Sequence, residues 1–251
     1  MVDFVGAGCG AADLITVRGM RLIQNADVII YAGSLVNPEL LGYAKDGCEI
    51  YDSAKMSLDD IIEVIRKAES ESRNTVRLQT GDLSLFGALR EQADKLEKLG
   101  IGYSVCPGVS SMFGAAAALK AEYTLPGVSQ SVIITRMAGR TEVPERESIG
   151  KLAAHGCTMV IFLSAGMTGE LSERLTDGGC PPGTPAAIVY KATWEDERVM
   201  RCTVGTLHET ALANNISKTA LIIVGNVLES SYELSRLYDK TFETGFRKAE
   251  P

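Results

Sequence analysis

VDFVGAGCGAADLITVRGMRLIQNADVIIY (residues 2–31) changes its apolar period twice, and those changes decide the fold. VDFVG (2–6) is a short apolar run stopped by glycine. LITVRGMRLIQN (14–25) places apolar residues at 14, 15, 17, 22 and 23, and ADVIIY (26–31) returns to an unbroken run. Short continuous runs fit strands, whereas a recurrence every three to four residues fits one face of a helix. The stretch therefore predicts strand, Gly-rich turn, helix and strand.

The same alternation continues outward. Pro38 is placed to start a short helix after the loop AGSLVNPEL. Ser57 with Asp60 resembles a capping box that opens a helix through Ser70, with Leu58, Ile61, Ile62 and Ile65 on one face. TVRLQT (75–80) reads as a strand, GALREQADKLEKLG (87–100) as a helix stopped by Gly100, and GYSVC (102–106) as a strand. PGVSSMFGAAAALK (107–120) turns into an Ala-rich helix. Strands alternating with helices predict an α/β domain over residues 1–120 with a mainly parallel sheet.

Pro126 and Gly127 interrupt any periodicity in the next segment, which places a linker at about 121–129 and a second α/β domain at 130–251. Its candidate strands are 131–136, 158–164, 185–192, 198–205 and 219–225, with helices near 145–155, 168–177 and 206–214. Only TWEDE (193–197) separates two of these strands. That is too short for a parallel crossover, so an antiparallel hairpin within a mixed sheet is expected. After Val227 the chain turns polar, and partial helix fading into a frayed end at Pro251 is expected.

Composition narrows the classes of function. With a net charge of −7 over 251 residues the chain lacks the basic footprint of a general nucleic-acid binder. No charged-then-apolar leader precedes the first strand, and no apolar run reaches the roughly 18 residues of a membrane span, so a cytoplasmic protein without membrane or nucleic-acid partners is expected. Six cysteines are spread singly and only His155 and His208 supply imidazoles, so no metal site is expected and neither histidine is given a role.

The chemistry is sought in the turns after strands. GAGCGA (6–11) formally matches the dinucleotide fingerprint, with Asp27 about 20 residues on. However, Asp27 opens the second strand and Tyr31 ends it, while a ribose-reading acid belongs at the carboxyl end. TGDLSLFG (80–87) and PGVSS (107–111) also follow predicted strands, so three Gly-containing loops should project from one edge of a parallel sheet, where ligands bind. Asp82 either receives a ligand's hydroxyls or amine, or caps its own turn.

Read together, VGAGCGAADLIT (5–16), RLQTGDLSLFG (77–87), PGVSS (107–111), VYKATWEDERV (189–199) and TALIIVG (219–225) resemble the tetrapyrrole methylase family, in that family's order over nearly the whole chain. YAGSLV (31–36), DSAKMSLDD (52–60) and TRMAGRTEVPE (135–145) resemble its branch acting on precorrin-4. The resemblance implies two α/β domains, usually in a homodimer, with a ligand cleft between them. S-adenosylmethionine would bind there in a folded conformation beside a trough for the tetrapyrrole, and the activity would be C-methylation in cobalamin biosynthesis, at carbon 11 of precorrin-4 or its cobalt complex.

By motif position the cofactor contacts fall on Cys9, Thr80, Gly81, Asp82, Leu85, Ser110, Ser111, Leu163, Ala192, Thr219 and Ala220. Cys9 and Leu83 stand where the family commonly has proline, and Ala88 where some uroporphyrinogen-methylating relatives carry arginine. Ser34, Lys55, Arg136 and Arg140 are the candidates for binding substrate carboxylates. No catalytic residue is assigned, because transfer from a sulfonium to an electron-rich carbon asks the protein mainly for alignment. The competing readings are a sibling methyltransferase acting on another tetrapyrrole carbon or a diphthamide precursor, a nicotinamide-dependent oxidoreductase, and a non-catalytic tetrapyrrole carrier.

Overall fold

In β1 (Val2–Gly6), Val2 and Phe4 enter one apolar cluster and Val5 enters another. Successive side chains of a strand face opposite sides, so burying both sets requires cover on both faces. The computed structural model describes residues 1–229 and 231–249 and shows that cover. β1 lies in a five-stranded sheet with β2 (Val28–Tyr31), β3 (Glu49–Asp52), β4 (Thr75–Gln79) and β5 (Tyr103–Cys106), in the order β3-β2-β4-β1-β5 and parallel throughout.

On one face α2 (Leu58–Ser70) and α3 (Leu89–Lys98) set Ile61, Ile62, Ile65 and Leu96 against Phe4, Val28 and Ile30. On the other, Ile23 of α1 (Val17–Asn25) joins Val5, Ile29, Val76 and Leu78. Each such side chain contributes about 1.5–3 kcal/mol when fully buried. α4 (Ser111–Leu119) follows β5.

Local signals explain most boundaries. The Ser57 hydroxyl accepts from Asp60 N at 3.2 Å and the Asp60 carboxylate accepts from Ser57 N at 2.8 Å, so the capping box is present. Thr16 caps α1 by accepting from Gly19 N at 3.1 Å. The helix therefore starts at Val17 rather than Leu14, and Ala12–Leu14 forms a separate 3-10 turn. Pro38 opens a 3-10 helix, Pro38–Tyr43. β3 is absent from the sequence expectations; it is an edge strand with Ile50 45% exposed, and an edge covered only in part shows no apolar run.

The chain forms two compact units. One comprises Met1–Ala118 with Lys191–Arg198, the other Leu119–Tyr190 with Val199–Pro251. The second unit holds a mixed sheet in the order β6-β7-β10-β8-β9, formed by β6 (Val132–Arg136), β7 (Thr158–Phe162), β8 (Pro185–Tyr190), β9 (Arg198–Thr203) and β10 (Ala220–Val224). β6 runs parallel to β7, and β10 antiparallel to both β7 and β8. β8 and β9 are neighbours joined through residues 191–197, a connection that only a chain reversal accommodates.

One face of this sheet packs Met159, Ile161, Ile188 and Ile222 against Ile149, Leu171, Leu175 and Leu207. Those four come from α5 (Ile149–Ala153), α6 (Thr168–Asp177) and α7 (Leu207–Ala213). The helix expected over 145–155 is instead a 3-10 turn and the five-residue α5, because Ser148 between them takes an extended backbone (ψ 147). From Asn226 onward the described residues form 3-10 turns at Asn226–Leu228 and Arg236–Tyr238 in place of the expected partial helix; the frayed end expected at Pro251 lies outside the described residues.

Candidate functional site

β4, β1 and β5 are adjacent and parallel, so the loops that follow them leave the same edge of the first sheet. They are knitted together there. Gly8 and Gly81 form an isolated antiparallel bridge, with Gly81 N donating to Gly8 O at 2.9 Å and Gly8 N to Gly81 O at 3.3 Å. A Cβ on Gly108 would lie 2.2 Å from Gly81 O and 2.7 Å from Gly6 Cα, so only glycine permits the three backbones to approach so closely.

Asp82 caps its own turn and reaches a neighbouring loop. Its Oδ1 accepts from Ser84 N at 2.9 Å and from the Ser84 hydroxyl, and its Oδ2 accepts from Gly108 N at 2.9 Å. The carboxylate thus ties the β4 loop to the β5 loop. Its partial burial alone would raise its pKa, but the hydrogen bonds from Ser84 and Gly108 outweigh that and hold it below the usual aspartate value.

Residues 191–198 complete this edge within the same unit. Thr193 Oγ1 accepts from Ala11 N at 3.0 Å and donates to Cys9 Sγ at 3.6 Å. A Cβ on Gly10 would fall 2.5 Å from Ala192 O, so Gly10 is what lets Ala192 close on the first loop. Asn37 adds a further tie: its side-chain amide donates to Gly10 O at 3.1 Å while its carbonyl oxygen accepts from Glu39 N at 3.0 Å. Sequence reasoning missed both Asn37 and Thr193. Asn before Pro38 is a helix-cap signal that points to Asn37, whereas Thr193 carries no local signal.

Of the sequence-predicted nucleoside contacts, Cys9, Thr80, Gly81, Asp82, Leu85, Ser110, Ser111 and Ala192 all fall on these interlocked segments. Cys9, Ser110 and Ala192 are buried, and Thr80 is exposed. The remaining three lie in the other unit. Leu163 follows β7, and Thr219 with Ala220 opens β10; Ile222 pairs with Ile161, so these ends lie side by side. Leu163 (φ 54) and Thr219 (φ 56) both hold left-handed backbones, a conformation that costs a non-glycine residue about 1–2 kcal/mol and that concentrates at functional sites.

Ser34 and Lys55 are exposed on the loops after β2 and β3, which Asp52 ties together by accepting from Gly33 N at 3.1 Å and Ala54 N at 2.9 Å. Arg136 is the last residue of β6. It donates to the carbonyls of Met137, Thr141 and Glu142 at 2.8–3.1 Å, so it shapes the loop that carries the exposed Arg140. His208 Nδ1 lies 3.0 Å from the Thr168 hydroxyl, a link between α7 and α6. Among the described residues no helix is long and apolar enough to cross a membrane.

Residues 1–208 match the family model of Tetrapyrrole (Corrin/Porphyrin) Methylases. The chain is 51% identical to a cobalt-precorrin-4 C(11)-methyltransferase from Methanocaldococcus jannaschii, over 99% of this chain and 96% of that protein. It superposes on the crystal structure of a cobalt precorrin-4 methyltransferase, a cobalamin biosynthetic enzyme, with a TM-score of 0.89 and 41% identity, covering 91% of this chain and 96% of the other. A Thermus thermophilus uroporphyrin-III C-methyltransferase solved with S-adenosylhomocysteine matches with a TM-score of 0.76 and 25% identity, covering 91% and 93%.

Proposed function

Because the chain belongs to the tetrapyrrole (corrin/porphyrin) methylases, we propose that it transfers a methyl group from S-adenosylmethionine to carbon 11 of precorrin-4 or its cobalt complex, a step of cobalamin biosynthesis. It is an S-adenosylmethionine-dependent methyltransferase. The observation that carries the reading is the knitting of the loops after β1, β4 and β5 at one edge of a parallel sheet, the edge at which such sheets bind ligands.

The residues fit such a donor. On the first unit the candidate contacts Cys9, Thr80, Gly81, Asp82, Leu85, Ser110, Ser111 and Ala192 include one carboxylate and no cationic side chain, which suits the ligand's sulfonium and ammonium; Leu163, Thr219 and Ala220 are the candidates on the second unit. S-adenosylmethionine supplies the electrophilic methyl group. The chain's own task is positioning: the Gly8–Gly81 bridge and the Asp82 tie hold the first two strand loops and the β5 loop in fixed relation. Alignment of this kind is worth roughly 7–11 kcal/mol in favourable intramolecular models.

Lys55, Arg136 and Arg140 are proposed to pair with the substrate's carboxylates and Ser34 to donate a hydrogen bond to them, the three cations supplying local positive charge to a chain whose net charge is −7. A homodimer in the cytoplasm, with no protein-bound metal, completes the proposal. Incubation with methyl-labelled S-adenosylmethionine and either form of precorrin-4 should label the tetrapyrrole, while uroporphyrinogen III should stay unlabelled. Label in uroporphyrinogen III and none in precorrin-4 would assign the chain to a sibling activity; no label in either would reject methyl transfer to these substrates.

A further inference from the structure

Two left-handed residues close together stand out in the loop after β4: Phe86 (φ 55) and Ala88 (φ 48), on either side of Gly87. A bulky aromatic residue with positive φ is an outlier that persists only where its surroundings over-determine it. Those surroundings are present, and they are buried and polar. Gln79 Nε2 donates to Gly87 O at 2.7 Å, and Gln92 Nε2 donates to Ala88 O at 3.0 Å. Arg77 braces Gln92 through Nε to Oε1 at 2.9 Å and anchors itself on Ile30 O at 3.1 Å. Arg77, Gln79 and Gln92 are 5%, 8% and 3% exposed.

An arginine buried in the central strand of a parallel sheet is costly, and apolar side chains would pack the same space without loss. The side-chain network instead leads to the carbonyls of Gly87 and Ala88, which follow Phe86 in the chain. Gly87 tightens the same turn, since a Cβ there would lie 2.5 Å from Leu83 O. The product of this construction is an aromatic residue, 47% exposed, on the loop that also carries Thr80, Gly81 and Asp82. Leu35, 42% exposed on the neighbouring loop, receives the Thr80 hydroxyl on its carbonyl at 3.4 Å and adds a second apolar side chain to this edge.

We propose that Phe86 is a substrate-positioning residue that packs its ring against the apolar face of the tetrapyrrole, and that Arg77, Gln79 and Gln92 hold the loop in the conformation that presents it. The inference rests on the tetrapyrrole methyltransferase function proposed above and adds the residue that grips the substrate's face. The hydrocarbon face of a macrocycle whose carboxylates lie at its rim is the surface that an aromatic ring held at this edge suits, while the polar loop residues suit the nucleoside.

The test compares wild type, Phe86→Ala and Phe86→Tyr for KM toward the tetrapyrrole, kcat, and the Kd of S-adenosylhomocysteine by calorimetry. Phe86→Ala should raise the KM by about tenfold or more, Phe86→Tyr should stay within about twofold of wild type, and the nucleoside Kd should be the same in all three. An unchanged KM in Phe86→Ala overturns the inference while leaving the proposed function standing. A nucleoside Kd that weakens in step with KM also overturns it, by showing a general loosening of the loop. Absence of nucleoside binding and methyl transfer in wild type would reject the proposed function itself.

Discussion

Replacing Gly108 by alanine strikes the point where the three loops meet. The new Cβ would stand 2.2 Å from Gly81 O and 2.7 Å from Gly6 C and Cα, and all of these are backbone atoms that no rotamer change can move aside. Forcing a methyl group into such a contact costs about 1–3 kcal/mol. The shift would also stretch the 2.9 Å hydrogen bond from Gly108 N to Asp82, a bond to a charged acceptor worth about 1.5–3 kcal/mol. Together these imply a loss of about 3–5 kcal/mol, which for a chain of this size lowers the melting temperature on the order of 10 °C.

Differential scanning calorimetry measures that shift, and titration with S-adenosylhomocysteine measures the accompanying loss of affinity. Gly102→Ala is the matched control, since a Cβ there meets nothing within 4 Å; it should change stability by no more than about 0.5 kcal/mol. If Gly108→Ala melts like Gly102→Ala and binds the nucleoside as tightly as wild type, the reasoning about the knitted loops is refuted.

Asp82→Asn puts an amide donor opposite a backbone donor at Ser84 or Gly108. Because hydrogen bonding holds the folded-state pKa of Asp82 below its unfolded value, the stability it contributes is present above about pH 4 and lost as pH falls through the lowered pKa. Urea unfolding should therefore show a wild-type advantage over Asp82→Asn that is constant near neutrality and shrinks below about pH 4; an advantage that is still undiminished once acid has protonated the carboxylate would contradict the assignment. Asn37→Leu removes the donor to the buried Gly10 carbonyl and should cost about 1–3 kcal/mol in denaturant unfolding, with weaker nucleoside binding. Ser57→Ala breaks the capping box of α2 and should cost about 1 kcal/mol in the same assay with nucleoside affinity unchanged, because among the described residues the Ser57 side chain bonds with Asp60 alone.

What sequence made legible follows from which interactions are local. Strands buried on both faces write unbroken apolar runs, and amphipathic helices write a 3.6-residue period, so β1, α1 and β2 could be read directly from residues 2–31. β3 could not, because Glu49–Asp52 is a half-covered edge strand with charged residues at both ends. The hydrogen bond of Thr193 to Cys9 spans 184 positions, and no periodicity announces a contact that long. In sequence Arg77 reads as part of an ordinary strand, since its hydrogen bonds run to Gln92 of α3 and to the Ile30 carbonyl of β2, neither adjacent to it in the chain.

The candidate site was legible at the level of its loops, because Gly-rich turns after strands of a parallel sheet emerge at one edge whatever the order of those strands. The roles of single residues were less accessible. Asp82 is the clearest case: the ligand and turn-cap readings place the same residue at the same point, and only the positions of Ser84 and Gly108 around the carboxylate show that it caps its turn and ties two loops. Arg136 likewise reads as a free cation in sequence, whereas three neighbouring carbonyls receive its guanidinium.

The loops after β1, β4 and β5 are proposed to hold the methyl donor. A crystal structure of the protein grown with S-adenosylhomocysteine tests this most directly. The account predicts nucleoside density against residues 6–11, 80–85 and 107–111; density at a different edge of the sheet, with these loops untouched, would contradict it.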